Sequence, residues 1–186
     1  MSYSTIFNKF TNLFARASDV AGVVESSPKV KVLFVCMGNL CRSPTAQGVF
    51  EKLVAQAGLA RVIGADSAGT HAYHIGKSPD KRAVAAASKR GYDLTRQRAR
   101  RIETADLSRF DYILAMDDEN VQEIRALVAP EGAGNVWLLM DFARQPVHAE
   151  VPDPYYGGGG GFERVLDLVE DGARGLLEHI RRHHQL

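Results

Sequence analysis

Residues 32–44 read Val32-Leu33-Phe34-Val35-Cys36-Met37-Gly38-Asn39-Leu40-Cys41-Arg42-Ser43-Pro44. The first four side chains are those of a buried strand. The last two suit a helix start, Ser accepting at the N-cap and Pro losing no needed hydrogen bond in the first turn. Between them, Gly38 and Asn39 are the residue types that tolerate positive φ, so the intervening loop can fold back on itself. Strand, tight loop and helix in so few residues open a βα unit.

The same rhythm continues outward. The strand begins at Val30, and the helix runs to about Ala57, where Gly58 closes it. Strands are expected at Val62 to Asp66, Tyr112 to Met116 and Val136 to Met140, and helices at Asp80 to Lys89 (stopped by Gly91), Asp118 to Leu127 and Phe162 to Ile180. Short apolar runs alternating with longer amphipathic ones are the pattern of a parallel sheet with covering helices. One domain, residues 30–186, accounts for this pattern. Residues 1–29 read differently: Ile6, Phe7, Phe10, Leu13, Phe14 and Ala17 fall at helical spacing, and a Ser-rich stretch ends at Pro28. This N-terminal extension is an amphipathic helix or a disordered arm. Its apolar stripe could lie on the domain, pair with a second copy or rest on a membrane surface, and the scarcity of acidic residues leaves a transit peptide open.

Composition narrows the function. The 186 residues carry 23 Lys and Arg against 22 Asp and Glu, a net charge of +1, which does not supply the broad basic surface of a nucleic-acid binder. An anion must therefore be bound locally. No run approaches the length of a membrane span and no secretory signal follows Met1, so a cytoplasmic chain is expected. The two cysteines, Cys36 and Cys41, have neither a disulfide framework nor zinc-site spacing. His71 and His74 lack accompanying ligands and read as a solvated loop. Arg96, Arg98, Arg100 and Arg101 read as a solvated basic face, and His183 and His184 as a frayed helix end.

The chemistry points back to residues 36–43. Successive N–H groups of Met37, Gly38, Asn39, Leu40, Cys41, Arg42 and Ser43 can converge on one point, and the helix beyond adds its positive end. Such a cup binds a tetrahedral dianion, and the planar fork of Arg42 can grip two of its oxygens. Cys36 would sit at its floor, where positive potential favours thiolate over thiol. A thiolate beneath a bound phosphorus is placed for in-line attack, giving a phosphocysteine that water then hydrolyses, with Ser43 hydrogen-bonding the departing sulfur. Protonating the ester oxygen needs an acid. The candidate is Asp153, held by prolines in Val151-Pro152-Asp153-Pro154-Tyr155-Tyr156-Gly157, where the tyrosines offer flat walls and the glycine tract beyond them can let the loop adjust.

Cys36 to Pro44, together with Asp153-Pro154-Tyr155-Tyr156, resembles the low-molecular-weight protein tyrosine phosphatase family from about Lys29 to the C-terminus. The resemblance implies a three-layer, Rossmann-like α/β domain with a four-stranded parallel sheet flanked by helices. It implies a metal-free, cofactor-free enzyme that hydrolyses phosphotyrosine, a monomer or weak dimer. Its substrate would be a phosphotyrosine-bearing protein, in bacteria a tyrosine kinase of polysaccharide export. By position, Cys36 is the nucleophile, Arg42 the phosphate-binding arginine and Asp153 the general acid. Asn39, Ser43 and Ser67 would form a loop-shaping network, with Gln97 where eukaryotic members often carry histidine. Asp117 would orient Arg42. Tyr73, Tyr155 and Tyr156 would line a slot for an aryl ring, and Cys41 would be the family's second cysteine, able to form a reversible disulfide with Cys36. Arsenate reductases of the same fold use further cysteines, absent here, and relatives acting on phosphoarginine tend to have a small polar residue in place of Leu40. A module that binds phosphotyrosine without turnover is the remaining alternative, and the presence of Cys36, Arg42 and Asp153 together argues against it.

Overall fold

The computed structural model describes residues 28–128, 134–145, 149–155 and 160–186, so the apolar stripe of the N-terminal extension and Tyr156 lie outside the described residues. Its elements are β1 (Val30–Cys36), α1 (Arg42–Gln56), β2 (Ile63–Gly69), α2 (Lys81–Lys89), α3 (Asp106–Arg109), β3 (Tyr112–Ala115), α4 (Asp118–Arg125), β4 (Val136–Leu138), a 3-10 turn (Leu139–Phe142) and α5 (Gly161–His183).

β1 organises the domain because both its faces are apolar. Val30, Val32, Phe34 and Cys36 enter a core with α1, α2 and α5, where Phe34 meets Phe50 edge-on at 5.5 Å. Leu33 and Val35 enter a second core with Leu107 of α3 and Val121 and Ile124 of α4. A strand buried on both faces belongs in the middle of a sheet. The four strands are parallel in the order β2-β1-β3-β4, with helices on both faces. The chain leaves β1 for β2 on one side and returns to β3 on the other. The carboxyl end of β1 is therefore a topological switch point, where open α/β sheets leave a ligand crevice. Cys36 is its last residue.

The elements depart from the sequence expectations where packing overrides local pattern. β2 runs on to Gly69, because Ser67, Ala68 and Gly69 pair with Phe34, Val35 and Cys36 of β1. Only glycine fits at 69: a Cβ there would stand 2.7 Å from the Met37 carbonyl oxygen. β4 stops at Leu138 rather than Met140, since Asp141 accepts from the Leu138 N–H at 3.0 Å and turns the chain into the 3-10 segment. Ser43 is not the N-cap of α1. Cys41 takes that position, and the Ser43 hydroxyl serves the site instead. The helical pattern at the C-terminus does not fray: α5 continues through His183, and His184 Nε2 shares a 3.2 Å hydrogen bond with the Tyr112 hydroxyl. Among the described residues no helix is long and apolar enough to cross a membrane.

α5 reaches the 3-10 turn across small residues. An added Cβ at Gly175 would lie 1.7 Å from the Phe142 carbonyl oxygen, a backbone atom that cannot step aside. Gly175→Ala is expected to destabilise the domain by about 3 kcal/mol in urea unfolding. Gly134→Ala, whose Cβ meets nothing within 4 Å, should change stability by only a few tenths of that. Equal midpoints for the two variants would contradict this interlock.

Candidate active site

The loop between β1 and α1 is shaped from outside. The carbonyl oxygens of Cys36, Met37 and Leu40 accept from the N–H groups of Thr70 (2.9 Å), His71 (3.0 Å) and Asp80 (2.9 Å), and that of Cys41 accepts from the Thr45 hydroxyl at 2.7 Å. In a planar trans peptide the C=O and the next N–H point opposite ways. Tying these carbonyls outward therefore turns the N–H groups of Met37, Gly38, Cys41 and Arg42 inward. The first turn of α1, with its unpaired N–H groups and positive dipole end, completes the cup.

Cys36 lies at the floor, 3% exposed, with its Sγ 3.1 Å from Ser43 Oγ. Behind it runs a chain of hydrogen bonds. Ser43 Oγ donates to the Ala68 carbonyl at 3.2 Å and accepts from Asn39 Nδ2 at 2.9 Å, and the same Nδ2 donates to Ser67 Oγ at 3.0 Å. Ser67 in turn donates to Gln47 Oε1 at 2.7 Å. Asn39 adopts φ 53°, the left-handed region in which asparagine is favoured, and its Oδ1 accepts the Arg100 N–H at 3.0 Å.

Arg42 closes the other side, 3% exposed. One Nη1 hydrogen bond goes to Asp117 Oδ2 and another to the Val151 carbonyl at 3.1 Å, while Nη2 reaches Asp153 Oδ2 at 3.1 Å. Burial opposes the guanidinium charge. The neighbouring Cys36, the Asp117 hydrogen bond and charge, and Asp153 outweigh it, and the group is held above the ordinary arginine range. Asp117 itself is fixed as the N-cap of α4, its Oδ1 accepting from the Asn120 N–H at 2.7 Å. Burial, with Asp80, Cys36 and Asp153 adding to it, pushes the Cys41 thiol up to about 12, so it stays protonated at neutral pH. Among the described residues no group of three or more His, Cys, Asp or Glu side chains is arranged to hold a metal ion.

A cysteine floor, an inward ring of amides and one buried arginine can now be compared with known proteins. The family profile described as low molecular weight phosphotyrosine protein phosphatase matches residues 31–186. This chain belongs to that family. The low molecular weight protein-tyrosine-phosphatase YfkJ of Bacillus subtilis is 40% identical over 157 residues, covering 84% of this chain and 99% of YfkJ. Its crystal structure superposes with a TM-score of 0.80 over 85% of this chain and 98% of that one, at 39% identity. The low molecular weight phosphotyrosine protein phosphatase of Schizosaccharomyces pombe is 42% identical over 153 residues, covering 81% of this chain and 97% of the relative. Wzb of Vibrio vulnificus, solved in complex with benzylphosphonate, has a TM-score of 0.69 at 29% identity over 81% of this chain and 98% of Wzb.

Within this family fold, Cys36, Arg42, Ser43, Asn39, Ser67, Asp117 and Asp153 are brought together by hydrogen bonds. Met37 and Leu40 form the outer part of the loop, with Met37 37% exposed, and the His74 ring lies against Gly38. Tyr73 stands 71% exposed with its ring stacked on His71 at 5.1 Å between centroids, and Tyr155 is 44% exposed. Gln97 does not join the Asn39–Ser43–Ser67 chain. Its Nε2 donates instead to the Pro44 carbonyl at 3.0 Å. Arg100 is no solvated side chain either, being paired with Asp66 (2.9 Å) and Asp106 (2.8 Å).

Sequence reading missed Gln47 and the Val151 carbonyl. Gln47 follows Ser43 by four residues on α1, and that same-face spacing is the signal that could have found it. A backbone acceptor such as Val151 leaves no residue-type signature.

Asp117→Asn keeps the α4 cap but removes the main counter-charge of a buried arginine. It should lower stability by about 2 kcal/mol, and inorganic phosphate should restore stability more in this variant than in the wild type. Equal phosphate stabilisation of the two proteins in thermal unfolding would contradict the pairing.

Proposed function

We propose that residues 30–186 hydrolyse phosphotyrosine in proteins through a phosphocysteine intermediate, with the segment before them an appendage to catalysis. The reading rests on one observation above the others: Arg42, buried at the rim of the amide cup, also reaches Asp153, so phosphate grip and acid stand on one guanidinium. Asp153 is 34% exposed at the mouth, where a leaving group would depart.

In the first step the Cys36 thiolate attacks phosphorus in line. The S–P bond forms, the P–O bond to the tyrosine breaks, and Asp153 gives its proton to the departing phenolate oxygen. The inward amides and Arg42 are already aimed at the equatorial oxygens, so little reorganisation accompanies the reaction. In the second step Asp153 takes a proton from water as the water oxygen attacks phosphorus. The S–P bond breaks, inorganic phosphate leaves, and the Ser43 hydroxyl turns its proton from the Ala68 carbonyl to the released thiolate. Cys41, kept protonated, is not a competing nucleophile.

We assign the exposed Tyr73 and Tyr155, together with Tyr156 next in sequence, to the walls of a slot for the substrate ring. A slot of this kind suits a long aryl phosphate better than phosphoserine, whose phosphorus sits nearer its backbone. The benzylphosphonate complex of Wzb supports that substrate class.

Cys36→Ser should abolish phosphate release from aryl phosphates and leave ligand affinity in place. Wild-type protein that binds a phosphotyrosine peptide without releasing phosphate would establish the non-catalytic module instead. Asp153→Asn should lower kcat/KM for phenyl phosphate by about 100-fold or more and for p-nitrophenyl phosphate far less, because only the poorer leaving group needs the proton. Equal slowing of both esters would remove Asp153 from the acid role.

A further inference from the structure

We propose that Arg82 is a positioning residue that ties the loop carrying Asp153 to the phosphate cup, through Asp80 on one side and Tyr155 on the other; the proposal rests on Asp153 acting as the general acid. Arg82 stands at the start of α2, far in sequence from both the loop and the acid. Its Nε and Nη2 take the two carboxylate oxygens of Asp80 at 3.0 and 2.8 Å, a bidentate pair. Asp80 is in turn fixed to the cup, since its backbone N–H donates to the Leu40 carbonyl at 2.9 Å. On the opposite side the guanidinium carbon lies 5.3 Å from the ring centroid of Tyr155 and 4.9 Å from that of Phe162 in the first turn of α5. Its Nη1 donates to the Tyr155 carbonyl at 3.4 Å. The last link is local: the Tyr155 N–H donates to Asp153 Oδ1 at 2.9 Å, while Asp153 Oδ2 faces Arg42. Pro154 between them rests against Gly161.

The arrangement has the economy of a brace rather than of a stabilising core contact. Arg82 is 51% exposed, and an ion pair so open to water contributes little to stability. What it does constrain is direction. Among the described residues the Asp153 carboxylate has two hydrogen-bond contacts, and the one that does not involve Arg42 hangs from the Tyr155 peptide that Arg82 holds. Lysine could supply the charge but neither the fork to Asp80 nor the planar stacking between two rings. Loss of the brace should leave the cup intact and let the acid wander, and displacement of a catalytic group by about an ångström costs up to about 100-fold.

The experiment measures kcat/KM of the full chain across aryl phosphates of graded leaving-group acidity. For Arg82→Met the leaving-group dependence should steepen, with about a tenfold loss on phenyl phosphate and a much smaller one on p-nitrophenyl phosphate. Arg82→Lys should fall between. Asp80→Asn, which retains the helix cap and the backbone link to Leu40, should reproduce the effect, and the Asp80→Asn/Arg82→Met double variant should be no worse than either single. In an Asp153→Asn background Arg82→Met should add nothing. Uniform slowing of all esters, or a further loss on top of Asp153→Asn, overturns the brace. If Arg82→Met does not fold by circular dichroism, Asp80→Asn carries the same test. An Asp153→Asn variant whose leaving-group dependence matches that of the wild type would instead overturn the assignment of the acid itself, a result that the Arg82 variants alone could not produce.

Discussion

A single buried positive charge holds the functional end of this domain together. Arg42 has almost no access to water, and a guanidinium taken out of water must be compensated by partners of excellent geometry. Those partners come from two places in the chain: Asp117 at the start of α4, and one loop that supplies both the Val151 carbonyl and Asp153. The end of β3, that loop and the first turn of α1 therefore converge because one side chain needs all of them. The Val151 N–H completes the closure by donating to the Met116 carbonyl at 2.8 Å, so the loop that carries Asp153 is stitched to the end of β3 where Arg42 finds its carboxylate.

The opposite wall of the cup rests on hydrogen bonds rather than on charge. Loop carbonyls are drawn outward by Thr70, His71 and Asp80, and the Asn39 amide spans Ser43 and Ser67. These contacts set the direction of the inward N–H groups before any anion arrives. Preorganised donors of this sort stabilise charge that develops during reaction without paying to reorient. The glycine at the end of β2 is part of the same device, since it lets the loop close down on the sheet. Of the two cysteines, five residues apart, Cys36 stands at the floor of the cup beside Ser43, while burial, with the charge of Asp80 adding to it, pushes the Cys41 thiol up.

How much of this could be read in the sequence depended on whether a feature was local. The apolar run before Cys36, the positive-φ pair Gly38-Asn39 and the Ser-Pro helix start all act over a few residues, and they located β1, the loop and α1. Asp153 was legible because prolines and tyrosines surround it. Ser67 and Asp117 were reached only through family resemblance, because each serves a partner far along the chain and neither stands in a distinctive local pattern. The extension of β2 to Gly69 was hidden, since Ser67-Ala68-Gly69 has weak strand preference and becomes strand only by pairing with β1. The end of β4 was hidden for the reverse reason: Leu139 and Met140 look like strand but belong to a 3-10 turn under α5, where Gly172 admits Leu139 and Gly175 admits Phe142. Ser43 misled at its own level. Its residue type suits a helix cap as well as a partner for the Cys36 sulfur; Cys41 takes the cap, and the hydroxyl stands with Cys36 and Asn39.

In the proposed reaction phosphorus passes through the sulfur of Cys36. The most direct measurement is rapid acid quenching of the protein during turnover of an aryl phosphate, followed by mass spectrometry of its peptides. A phosphoryl group on the peptide containing Cys36, lost on longer incubation as inorganic phosphate appears, is the predicted result. Continued phosphate release with no phosphoryl group on any peptide, or with the group carried by another residue, would contradict it.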